Sequence, residues 1–134
     1  MEAVRKMANH SVYNVPHALQ RAALAALEGG AGFLAEARAR YAAIRDQAAA
    51  ALALPVRVPQ GATYLFLDLS PAMAAGDRDG LSVLERIADA GVLLAPGAPF
   101  GAIYASWARL CFTAAPEPRL LEGIARINRV VGGA

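Results

Sequence analysis

The sequence predicts an α/β layer structure: a small mixed or antiparallel sheet covered by helices on one side, with a long helix before it. Three features carry that expectation. A long alanine-rich stretch, Gly32 to Leu54, repeats apolar residues at helical steps; Thr63 to Leu69 has the β-branched and aromatic content of a strand; and the segment after Pro116 is amphipathic. A length of 134 residues, 57% hydrophobic and 18% charged, predicts one compact soluble domain whose core needs neither metal nor disulfide.

The elements follow in order. Pro16 to Leu27 reads as a short helix, with Pro16 suited to a first helical position and Gly29-Gly30 as the stop. From Gly32 to Leu54, the residues Phe33, Ala37, Tyr41, Ile44, Ala48 and Leu52 recur on one face, and Pro55 ends the helix. So much alanine permits close backbone approach at little side-chain entropy cost, which suits a spine or connector. Val56-Arg57-Val58 is a short strand candidate, and Thr63 to Leu69 follows the Pro59-Gln60-Gly61 turn. Gly80 to Ala90 predicts a helix with Leu81, Leu84, Ile87 and Ala88 inward, stopped by Gly91. Val92-Leu93-Leu94 is expected as a buried strand, and Trp107 to Phe112 as another, with Arg109 facing away from Ala108 and Leu110. The last helix turns Leu120, Leu121, Ile124, Ile127 and Val131 inward.

Composition excludes several function classes. Lys+Arg 13 against Asp+Glu 11 leaves a formal charge of +2, and the arginines alternate with acids and alanines, so neither a nucleic-acid nor a membrane footprint is expected. The start of the chain shows no apolar signal segment, which predicts a cytoplasmic protein. Prolines and glycines break the uncharged run Ala90 to Ala108, so it is not a membrane span. The single cysteine, Cys111, permits no intrachain disulfide, and His10 and His17 have no partners at ligand spacing, so no metal site is expected. No G-x-S-x-G is present, and the glycine-rich loop Pro96 to Gly101 lacks a G-K-[ST] ending and leads to a strand, which argues against a phosphate cradle.

Arg109 stands out as a guanidinium in an otherwise apolar strand. Burying it unpaired is costly, so two readings stay open: an ion pair with a carboxylate of the chain, or a site for a ligand's carboxylate, which the planar fork suits equally.

At the level of motifs, Gly91-Val-Leu-Leu-Ala-Pro-Gly97, Phe100-Gly101, Ala108-Arg-Leu-Cys-Phe112 and the helix opening Pro116-Glu-Pro-Arg-Leu120 resemble the carboxy-terminal part of class I/II aminotransferases. These are pyridoxal-phosphate enzymes of the aspartate aminotransferase superfamily, fold type I. Pro59-Gln-Gly-Ala-Thr-Tyr-Leu-Phe66 is similar to the family's P-x-G-[GA] strand opening, and Tyr13-Asn-Val-Pro16 to the segment where the chain leaves the large domain. The resemblance covers essentially the whole chain. It implies a segment 1–31 ending the large domain, a connecting helix 32–54, and a small domain 55–134. It also implies that Arg109 grips the substrate α-carboxylate with Phe100 beside it, and that Tyr13 and Asn14 lie near the neighbouring subunit's cofactor phosphate.

Transamination requires a lysine that forms a Schiff base with the cofactor and a carboxylate paired with its ring nitrogen. Lys6 is the only lysine, and Val4-Arg5-Lys6-Met7 does not match the family's lysine segment; Asp68 and Asp89 lack the family's aspartate context. The resemblance therefore implies a small domain without its large domain: a truncated product, a fragment, an excised domain or one half of a split enzyme. No catalytic residue is expected in the chain, nor pyridoxal phosphate binding by the chain alone. Its expected partners are an amino-acid or 2-oxo-acid substrate in the complete enzyme, the missing large domain or a partner chain, and a second copy in a homo-oligomer. The rival reading is a non-catalytic α/β module that binds a small carboxylate or dimerises.

Overall fold

A computed structural model describes residues 1–132, so the last two residues of the 55–134 segment lie outside the described residues. The described residues form two compact units, Met1–Ala39 and a second that begins at Arg40. No residue of the first unit is buried.

The first unit contains helix α1 (Glu2–Ser11), helix α2 (His17–Gly29) and the opening of helix α3 (Ala31–Ala51). The sequence reading did not anticipate α1. Its ends suit a helix: the Glu2 carboxylate in the first turn complements the backbone dipole, and in the last turn the Ser11 hydroxyl donates to the Met7 carbonyl at 2.8 Å. Its apolar residues Val4 and Met7 are exposed, as are Leu19 and Leu27 of α2 and Phe33 of α3.

The second unit holds the core. Its sheet has four strands, β1 (Val56–Arg57), β2 (Tyr64–Asp68), β3 (Ala95–Pro96) and β4 (Trp107–Cys111), in the order β1-β2-β4-β3 with every pair antiparallel. Leu65 and Leu67 of β2 and Ala108 and Leu110 of β4 point to one face. There they pack with Ala48 of α3, Val83 and Ile87 of helix α4 (Leu81–Asp89), and Leu120, Ile124 and Ile127 of helix α5 (Glu117–Val131). Sheet and helices thus form the layered arrangement the sequence predicts. Among the described residues, no helix is long and apolar enough to cross a membrane.

Three local expectations are corrected. Val92-Leu93-Leu94 is not a buried strand: the Val92 N–H is used by the Ile87 carbonyl at the end of α4, Leu93 is 87% exposed, and pairing starts only at Ala95. Pro96 has no N–H to give, which fits β3's place at the sheet edge. In α4 the buried residues are Val83 and Ile87, while Leu81 and Ala88 are exposed, because the helix faces the sheet one step round from the predicted stripe. The long helix ends at Ala51, not Leu54, and of its predicted stripe only Ala48 is fully buried, with Tyr41 and Ile44 packed at the core's margin.

Asn128 of α5 replaces a backbone cap at that early ending. Its amide nitrogen donates to the Ala51 carbonyl at 2.7 Å, and its oxygen accepts the Ala53 N–H at 2.9 Å. Asn128→Ala removes both bonds and should lower the unfolding free energy by about 1–2 kcal/mol, read from the denaturant midpoint at constant slope. A change under about 0.3 kcal/mol would show that water replaces the side chain without loss.

Candidate functional site

β2 and β4 lie side by side in the middle of the sheet, with Phe66 directly opposite Arg109. Since Leu65, Leu67, Ala108 and Leu110 enter the core, alternation places Tyr64, Phe66, Trp107 and Arg109 together on the other face. The connection from β3 to β4 covers part of that face. It forms two 3-10 turns, Ala98–Phe100 and Ala102–Tyr104, which bring the Phe100 and Tyr104 rings to 6.0 and 5.2 Å from that of Phe66.

Gly97 makes the close approach of this connection possible. It is buried, its N–H donates to the Trp107 carbonyl at 2.8 Å, and it receives the Phe100 N–H on its own carbonyl. Gly101 enters the second turn at φ 137°, a backbone conformation that side chains rarely adopt.

The result is a cleft of about 300 Å3 lined by Tyr64, Phe66, Phe100, Tyr104 and Arg109. The guanidinium carbon of Arg109 lies 4.3 Å from the centroid of the Tyr64 ring and 5.2 Å from that of Phe100. Ring faces carry negative charge density and attract the cation, by about 0.5–2 kcal/mol depending on solvation. The described residues form two ion pairs, Arg45 with Asp46 and Arg126 with Glu122, and Arg109 belongs to neither. Of the two readings the strand left open, the internal ion pair is therefore not formed among the described residues. The planar fork of N–H donors, aromatic on its flanks, remains able to meet a carboxylate from outside.

The structure brings together Arg109 and Phe100. Tyr13 and Asn14 belong to the first compact unit, in the exposed link between α1 and α2, with Tyr13 at φ 64°. Lys6 is exposed on α1. Asp68 is engaged locally, its carboxylate accepting the Ser70 N–H at 2.9 Å, and Asp89 is exposed at the end of α4. No lysine and no carboxylate lines the aromatic cleft. Tyr64, Phe66, Tyr104 and Trp107 were not singled out from the sequence, although Tyr64 and Phe66 alternate in β2 as Trp107 and Arg109 do in β4; only the register reveals that the two rows meet.

A larger hollow of about 400 Å3 is lined by Arg40, Tyr41, Ile44 and the segment Thr113 to Glu117. Size does not make it the better candidate: its cation, Arg40, already lies over the Tyr41 ring, 5.4 Å from the centroid, and Glu117 stands in the first turn of α5. No group of three or more metal-ligating side chains occurs among the described residues. The Cys111 thiol is pushed up by burial, but hydrogen bonds from Thr113, Thr63 and Ala114 outweigh this and hold it below its usual range.

No protein-family model matches the chain. Individual relatives do. The chain is 34% identical over 113 residues to an LL-diaminopimelate aminotransferase of Oleidesulfovibrio alaskensis, covering 82% of this chain and 28% of that protein. It is 31% identical over 140 aligned positions to an aspartate/prephenate aminotransferase of Thermus thermophilus, covering 100% of this chain and 34% of the relative. The structure of a Thermus thermophilus aspartate aminotransferase with maleate superimposes on 96% of the chain and 34% of its own length, at a TM-score of 0.81 and 30% identity. The chain thus spans about a third of the length of these relatives. Sequence and fold agree that the chain is homologous to the class I aminotransferases and corresponds to a part of them with the small-domain fold.

Proposed function

We propose that this chain is the small-domain part of an amino-group-transferring enzyme and that Arg109 is its grip on the α-carboxylate of the amino- or 2-oxo-acid substrate. One observation carries the reading: a guanidinium on the open face of the sheet, steadied by the rings of Tyr64 and Phe100 and left without a carboxylate partner among the described residues. Two parallel N–H···O bonds from its fork would fix both the position and the plane of a carboxylate. In this reading residues 1–31 end a large-domain-like segment, 32–54 connect, and 55–134 form the small domain. Phe100 sits beside the bound carboxylate, while Tyr13 and Asn14 serve a neighbouring subunit's cofactor phosphate. The exposed apolar residues Val12, Val15, Phe100 and Ile103 then belong to surfaces that the remaining family length or a second copy covers.

The residues present do not fit pyridoxal phosphate by themselves. The cleft beside Arg109 offers no lysine nitrogen for a Schiff base and no carboxylate for a ring nitrogen, and Lys6 is exposed on a helix of the other unit. The covalent chemistry is assigned to sequence outside these 134 residues, in the same polypeptide or another.

Incubation with pyridoxal phosphate, borohydride reduction and intact-mass measurement tests this division of labour. We expect no stoichiometric adduct and no transamination by the chain alone. A one-to-one adduct mapped to Lys6, with turnover, would overturn it.

A further inference from the structure

We draw no further inference here: the strongest candidate, the apolar hollow of about 180 Å3 between the Val92–Leu94 segment, Leu110 of β4 and the Ile124 side of α5, is an unpartnered apolar face, and nothing in the structure shows what covers it.

Discussion

Arg109→Lys should leave the domain folded and cut amino-acid use by about 30- to 1,000-fold in the enzyme completed by the remaining family length. That range corresponds to about 2–4 kcal/mol, the scale expected when two aligned charge-assisted hydrogen bonds give way to one point charge on a flexible stem. Folding should change little because the Arg109 side chain makes no ion pair among the described residues; its contacts are the ring faces of Tyr64 and Phe100, which an ammonium can also approach. Arg109→Ala sharpens the contrast. A buried internal ion pair broken from one side would cost about 3–5 kcal/mol, whereas the cation–ring contacts here should cost no more than about 2 kcal/mol. The check is a pair of measurements on each variant: thermal or denaturant unfolding, and kcat/KM for the amino donor. Strong destabilisation with unchanged kinetics would make Arg109 a scaffold residue and remove the site assignment.

Much of this molecule was legible in the sequence, and the failures have separate physical causes. The last helix and the strands at Tyr64–Asp68 and Trp107–Cys111 were readable because each buries one face, so that the period of the apolar residues records the fold directly. Helix α1 is only ten residues long, with Val4 and Met7 as its large apolar residues, too short a stripe to read, and it buries nothing. Val92-Leu93-Leu94 misled for the opposite reason: three apolar residues in a row look like a buried strand, yet Val92 closes the preceding helix and Leu93 faces outward. The candidate site was half visible. Arg109 is conspicuous as a charge in an apolar strand, and that oddity needs no partner to be noticed. The aromatic walls come from a neighbouring strand and from the turns after Gly97, and they become a cleft only through the pairing Phe66 with Arg109, a register no single segment encodes.

The second large effect concerns the residue that lets those turns close. Gly97→Ala should destabilise the second compact unit by about 3 kcal/mol, lowering its melting temperature by roughly 10–20 °C. The backbone angles at Gly97, φ −79° and ψ −27°, are open to any residue, so the demand is for space and not for conformational freedom. A methyl group there would collide with the carbonyl oxygen of Tyr104, and would come within 2.7 Å of the Trp107 carbonyl oxygen and 2.9 Å of the Trp107 side chain. Two of these are backbone atoms of the β4 strand and the turn before it, so relief requires moving the connection itself. Such a shift would also pull Phe100 and Tyr104 away from Phe66 and open the cleft that flanks Arg109. Gly61→Ala provides the control: a methyl group at Gly61 meets nothing within 4 Å, and the change should stay within about 0.5 kcal/mol. Melting curves of the two variants, with the Trp107 emission spectrum recorded on each folded state, decide the matter. Equal stability, or an unmoved Trp107 spectrum in Gly97→Ala, would mean that the connection can yield and that the cleft's shape does not depend on its close approach to β4.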